Sequence, residues 1–226
     1  MNQKDVQIPI SALDRQVSGI LAVPDQAKAL YILAHGAGAG MHHDFMVKVS
    51  KEVYDRRIAT LRFQFPYMED GRRMPDHKSK LLKVMGPVCD FAQEQAAGLP
   101  IFMGGRSMGG RISSLFLEES SQNVAKGLIF LGFPLHSAKK LGTEKAEHLF
   151  SLSIPMLFVR GTRDKLADDA LMTDVCQKLG KKAKSFVVAT GDHSLKPLKK
   201  SGLSEEEVMT MIGASIEAFV DENLSR

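Results

Sequence analysis

Tryptophan is absent from this chain, tyrosine occurs three times and cysteine only twice. Cys89 and Cys176 both fall inside helical patterns, so a disulfide framework does not carry the fold and stability has to come from a packed core. Reduced thiols are expected, which fits a cytoplasmic setting. Also missing is any apolar run approaching the roughly 20 residues of a membrane span. The opening Met1-Asn2-Gln3-Lys4-Asp5 has no apolar stretch behind it of the kind that directs secretion. Charge of one sign is in short supply too, since 30 Lys and Arg against 26 Asp and Glu leave a net +4. Without a clustered basic face or a recognised module, so small an excess does not point to nucleic acid. What is present is ordinary for a globular protein: 44% hydrophobic and 25% charged residues in a chain of 226. That suits one α/β domain over residues 1–226 with a good core.

Two segments near the start alternate, Val6, Ile8 and Ile10 and then Val17, Gly19, Leu21 and Val23, which predicts an antiparallel pair. From there the rhythm changes. Apolar runs bounded by turn formers recur at 29–34, 59–65, 99–103, 127–133, 155–159 and 185–189. Near-continuous apolar strands are buried on both faces, as in a parallel sheet. Between them lie stripes at helical spacing: Phe45, Val49 and Val53; Leu81, Val84, Met85, Val88 and Phe91; Met108, Ile112, Leu115 and Phe116; Leu171, Val175 and Leu179. Pro87, inside the second stripe, is expected to kink or split that helix. A last stripe runs from Val208 to Val220, with Ser204 and Glu207 as a capping box ahead of it. Alternating strands and helices imply an α/β fold, a mostly parallel sheet with helices on both faces and right-handed crossovers. The least regular stretch, 134–153, has room for a helical turn or two and is too short for a full lid.

Gly105-Arg106-Ser107-Met108-Gly109 sits where the run 99–103 gives way to the stripe of Met108, Ile112 and Leu115. A serine squeezed between strand and helix takes a cramped backbone conformation with Oγ thrust clear of the sheet. Gly105 and Gly109 have no Cβ to collide with such a turn. The first N–H groups of the helix point toward charge developing beside the serine. This is the elbow expected of a nucleophile, but so short a pattern carries weight only with its partners. A serine nucleophile needs a base, and the base needs a carboxylate to hold its tautomer. The expected chain order is serine, acid, histidine, each on a loop after a strand. Asp164 follows the run 155–159 through Arg160-Gly161-Thr162-Arg163, and His193 follows 185–189 through Thr190-Gly191-Asp192. Asp168 and Asp169 come later and read as N-cap residues for the helix carrying Leu171, while Asp192 reads as a turn former. His42, His43, His77, His136 and His148 read as capping or solvated side chains.

Leu33-Ala34-His35-Gly36-Ala37-Gly38-Ala39-Gly40-Met41 closes the run 29–34, where small residues let backbone N–H groups approach a substrate oxygen. The N–H groups of Ala37 and Met108 are the expected oxyanion donors. A dinucleotide fingerprint is the rival reading, and the spacing Gly-x-Gly-x-Gly and the lack of an acidic residue after the next strand speak against it. Downstream, residues 62–76 should cross the same sheet edge. Arg72, Arg73 and Arg106, with Lys196, are candidate substrate-binding cations for a carboxylate or phosphate, or else surface charges and loop-holding ion pairs.

With these segments in place, the chain resembles a family of small α/β-hydrolases of bacteria and eukaryotes. That family is loosely similar to dienelactone hydrolases and includes a testis-expressed hydrolase-like protein and, more distantly, a subunit of the nonspecific-lethal chromatin complex. The likeness runs through His35-Gly36-Ala37-Gly38, residues 62–76, residues 104–111, Pro134-Leu135-His136, residues 160–164 and Asp192-His193-Ser194. It implies an α/β-hydrolase fold with Ser107 as nucleophile, Asp164 as acid and His193 as base. Gln64 stands where the family pattern has asparagine. Dienelactone hydrolases proper use cysteine, so Ser107 argues against that particular reaction. Residues and resemblance together lead to an esterase-like serine hydrolase with a small acyl substrate, using no cofactor or metal and binding neither nucleic acid nor membrane. A thioesterase or peptidase with the same groups, and a non-catalytic module that keeps the fold, remain open.

Overall fold

Alternate residues of the central strand point to opposite layers, and that simple rule organises the molecule. The computed structural model describes residues 1–96, 98–120 and 124–225. Strands β1 (Gln3–Ile10) and β2 (Arg15–Ala22) pair antiparallel from Gln3 opposite Ala22 to Ile10 opposite Arg15. Then come β3 (Ala29–Ala34), β4 (Ile58–Phe63), β5 (Ile101–Arg106), β6 (Gly127–Leu131), β7 (Met156–Gly161) and β8 (Ala183–Val188). They form one eight-stranded sheet in the order β1-β2-β4-β3-β5-β6-β7-β8, parallel from β4 to β8.

Ala29, Tyr31 and Leu33 of β3 pack into the layer made by α1 (Asp44–Tyr54) and α6 (Glu205–Leu224). Leu30, Ile32 and Ala34 pack into the opposite layer, with α3 (Lys78–Gln95), α4 (Met108–Glu119) and α5 (Asp169–Leu179). A short α2 (Pro66–Glu69) follows β4. Both faces of the strand are therefore buried, which is why its sequence reads as an unbroken apolar run. The capping box of Ser204 and Glu207 is formed at the start of α6, and Asp168 caps α5 by accepting from the Leu171 N–H at 3.1 Å. Among the described residues, no helix is long and apolar enough to cross a membrane.

Local expectations change at several points, and in particular at these. The run 59–65 stops as a strand at Phe63, because Pro66 begins α2 and Phe65 becomes its N-cap. The strand before the serine extends past 103 to Arg106, since Gly104 and Gly105 pair with Leu33 and Ala34 on one side and Ile129 and Phe130 on the other. Pro87 does not split its helix: α3 runs continuously from Lys78 to Gln95 across it. An interior proline costs about 3 kcal/mol, whereas each large apolar side chain buried is worth about 1.5–3 kcal/mol. With Leu81, Val84, Met85, Val88, Cys89 and Ala92 all buried, packing outweighs the lost bond.

The stretch 134–153 holds a 3-10 segment, Glu144–Phe150, and buries Ala146 and Leu149. His148 fastens it to α4 through a 2.8 Å hydrogen bond with Ser114 Oγ. It forms a wall beside α4, consistent with the short insertion expected.

Phe130 in β6 is fully buried, with ring centroids 5.0 Å from Phe133 and 4.8 Å from Phe158. Phe130→Ala should lower unfolding stability by about 3–5 kcal/mol in urea denaturation. An unchanged midpoint would show this cluster to be slack.

Candidate active site

Every side chain of interest hangs from the carboxyl end of a parallel strand. Ser107 directly follows β5 and caps α4 with φ 48° and ψ −114°, a conformation L residues rarely take. Strain of this kind costs about 1–3 kcal/mol and persists only where the surroundings enforce it. Here they do. A Cβ on Gly105 would lie 2.0 Å from the Ala34 carbonyl oxygen, and one on Gly109 would lie 2.4 Å from that same atom. The Ser107 N–H is meanwhile held by the Leu131 carbonyl at 3.0 Å.

Asp164 lies three residues beyond β7, its carboxylate buried and accepting from the Leu166 N–H at 2.7 Å. His193 lies five residues beyond β8. Two hydrogen bonds lace these loops together, the Arg163 N–H to Gly191 O at 2.8 Å and the Thr190 N–H to the Thr162 hydroxyl Oγ1 at 2.9 Å. His193 Nδ1 stands 2.8 Å from Asp164 Oδ2, and Nε2 stands 2.9 Å from Ser107 Oγ. A buried carboxylate accepts and does not donate, so the ring proton belongs on Nδ1 and the Nε2 lone pair faces the hydroxyl. Asp192 points elsewhere and accepts from the N–H groups of Ser194 and Lys196, as a turn former should.

The loop after β3 completes the site. Gly36, Ala37, Gly38 and Ala39 line a cavity of about 400 Å³ with Ser107, His193, His43, Arg106 and Leu166. Among the described residues, the Ala37 and Met108 N–H groups have no backbone acceptor. A sequence model described as Alpha/beta hydrolase domain matches residues 27–221. The chain belongs to the alpha/beta hydrolase family.

Solved structures share the fold of this hydrolase-family chain. Est1E of Butyrivibrio proteoclasticus, with ferulic acid bound, has a TM-score of 0.76 at 17% identity, covering 98% of this chain and 100% of that one. Dienelactone hydrolase of Anabaena variabilis has a TM-score of 0.76 at 16% identity, covering 98% and 97%. The esterase domain of a Rhodothermus marinus protein has a TM-score of 0.74 at 16% identity, covering 98% and 99%. At such identities the likeness is one of fold.

The candidate cations of this hydrolase-family member divide, with Arg106 and Lys196 lining one recess beside His43 and Glu205 that Arg72 and Arg73 do not line. Arg72 staples its own loop, reaching Asp76 at 2.8 Å and Asp70 at 3.3 Å, and Arg73 is exposed. Lys196 pairs with Glu205 at 3.2 Å. Arg106 alone of these lines the cavity beside Ser107. Its guanidinium donates to Ser194 Oγ at 2.9 Å, lies 3.3 Å from His43 Nδ1 and covers the Phe45 ring at 4.8 Å. Burial lowers its pKa against the opposing pull of the Asp192 charge, and among the described residues no carboxylate pairs with it directly.

Sequence reasoning passed over the residues that hold the Ala37 loop in place. His35 is fully buried: Nε2 accepts from the Phe65 N–H at 3.1 Å, which leaves the Nδ1 proton to bond Gly36 O at 2.8 Å. Arg62 donates to Met41 O at 2.9 Å, Gln64 Oε1 accepts from the Met41 N–H at 2.8 Å, and the Tyr67 hydroxyl accepts from the Gly38 N–H at 3.2 Å. Gln64 thus has a definite task where the family pattern has asparagine. The available signal was a charged residue, Arg62, inside an otherwise apolar run. His136 also proves structural, bonding Ser137 O and accepting from the Asp168 N–H at 2.9 Å. His43 is the N-cap of α1.

Burial pushes the His35 pKa down from 6.5 to about 4. The unfolded chain therefore binds the extra proton between those values, and its stabilisation is complete above pH 6.5 and lost as pH falls toward 4. His35 should remove about 2 kcal/mol of unfolding stability between pH 7.5 and 4.5. Urea midpoints across that range should fall more steeply for wild type than for His35→Gln. Equal slopes would mean that the ring is not held neutral.

Proposed function

We propose that this chain is a serine hydrolase of the esterase type, acting on a small, accessible acyl compound without a cofactor or metal. The observation that carries this reading is the continuous relay from Asp164 through His193 to a half-exposed Ser107, at 2.8 and 2.9 Å. His193 Nε2 takes the Oγ proton as Oγ attacks the carbonyl carbon, forming a tetrahedral oxyanion. The Ala37 and Met108 N–H groups, preset by the pinned loop and the helix start, stabilise that oxygen. Collapse expels the leaving group, which receives the proton from His193 and leaves an acyl-serine. Water, deprotonated by the same imidazole, then attacks the acyl carbon; the ester bond to Oγ breaks and the serine recovers its proton. Asp164 stabilises the imidazolium in both halves.

The slight wall at 134–153 supports small or easily reached substrates, and ester or thioester carbonyls suit the open serine best. Free thiols at Cys89 and Cys176 support a cytoplasmic setting. Relatives of the same fold described as esterases lend the acyl-hydrolase reading further support.

A fluorophosphonate probe should label the wild type covalently and fail to label Ser107→Ala. Asp164→Asn should keep the fold and lose about 10⁴ in turnover through the wrong imidazole tautomer. Rates on p-nitrophenyl esters, acyl-CoA thioesters and peptides then separate the substrate classes. A folded wild type that takes no label would sink the mechanism.

A further inference from the structure

Beside Ser107, in a cavity that His193 does not line, two cations meet no carboxylate among the described lining residues. Arg111 lies four residues beyond Ser107 on α4, and Lys145 stands at the start of the 3-10 segment Glu144–Phe150. With Ser107, Met108, Ile112 and Pro134 they line about 230 Å³. Several partly buried arginines are neutralised by carboxylates, Arg56 by Glu52 at 2.7 Å, Arg15 by Asp70 at 2.9 Å and Arg160 by Asp169, while Arg62 and Arg106 donate to Met41 O and Ser194 Oγ, each at 2.9 Å. Arg111 differs. Among the described residues its side chain makes no ion pair, and its Nε is buried without an acceptor. The charged group that acts on Lys145 is Arg111 itself, and with burial it lowers the ammonium pKa. The neighbouring His148 is pushed to about 4 by burial and by the charges of Arg111 and Lys78, so it is neutral near pH 7.

Two like charges gathered in a partly dry recess, with no protein acceptor for a buried guanidinium nitrogen, form a poor structural element and a good anion receptor. A purely structural Arg111 would bond a carbonyl or carboxylate, and among the described residues its Nε finds neither.

Which part of a substrate enters follows from proton transfer. His193 must protonate the departing oxygen, so the leaving group lies on its side, in the cavity shared with Gly36, Ala37 and Leu166. The acyl chain takes the remaining space at Ser107, which is the recess of Arg111 and Lys145. We propose that this recess binds a carboxylate at the far end of the acyl chain, making the preferred substrate class the half-esters of short dicarboxylic acids. Ile112, Pro134 and Met108 would flank the methylenes. The assignment to the acyl side rests on the serine-hydrolase reading; the anion site does not.

The test compares monomethyl glutarate with its uncharged counterpart, methyl pentanoate. Wild type should favour the glutarate ester by tenfold or more in kcat/KM, and Lys145→Gln and Arg111→Met should each cut that ratio by about tenfold. Lys145→Gln alters a partly exposed side chain, so it serves if Arg111→Met fails to fold. In parallel, calorimetry of glutarate binding to Ser107→Ala protein needs no turnover: binding that weakens about tenfold on adding Lys145→Gln supports the site. Esters left untouched while glutarate binds would count against the hydrolase reading alone. The proposal is overturned by equal use of the two esters, by a ratio unmoved in the variants, or by no glutarate binding. It is overturned as to side if 3-acetoxypropionate, charged on its alcohol part, is the ester whose preference depends on Lys145.

Discussion

The contact between β5 and β3 governs this molecule. Where Gly105 and Gly109 pass the Ala34 carbonyl, the backbones come so close that any Cβ would overlap it, at 2.0 and 2.4 Å. That approach drives α4 down against the end of the sheet and compels Ser107 into its unusual φ. It also sets the helix start, with the Met108 N–H, beside the loop that leaves β3. The position of Ser107 and that of the amides proposed as oxyanion donors are thus two results of one steric constraint, and neither can shift without the other.

Around that point the protein spends its buried polar groups on holding loops. His35, Arg62, Gln64 and Tyr67 converge on the segment from Gly36 to Met41, and every bond they make there goes to its backbone or to the strand exit beside it. Loops of alanine and glycine have little packing of their own, so an oxyanion donor on one needs external pins to stay preorganised. On the other side, the loops bearing Asp164 and His193 are sewn to each other by hydrogen bonds from backbone N–H groups. Two cavities meet at Ser107, one lined by His193 and Arg106 and the other by Arg111 and Lys145.

Much of this was visible in the residues. The strand Ala29–Ala34 appears at its expected limits, the capping box is formed at Ser204, and the Asp168 and Asp192 side chains cap and turn as their positions implied. Each is a local matter, decided by side chains a few residues apart. Errors arose where distant packing overrules local preference. Pro87 stays inside α3 because the sheet beneath rewards the whole helix. Gly104 and Gly105 are strand residues because partners on both sides claim their backbone. Arg72, read as either a substrate-binding cation or a loop-holding ion pair, pairs with Asp70 and Asp76 of its own loop.

By itself the sequence determined the period of each element, the alternation that makes a parallel sheet, and the order serine, acid, histidine along the chain. These depend on patterns within tens of residues and on which side chains have suitable chemistry. Only the tertiary structure decided that Nε2 of His193 faces Ser107 Oγ, that His35 and Gln64 pin the loop after β3, and which arginines are neutralised. Distances between loops on separate strands are set by sheet order and twist, and charge pairing by whichever side chains those loops bring together. Neither is written in the spacing of residues along a chain.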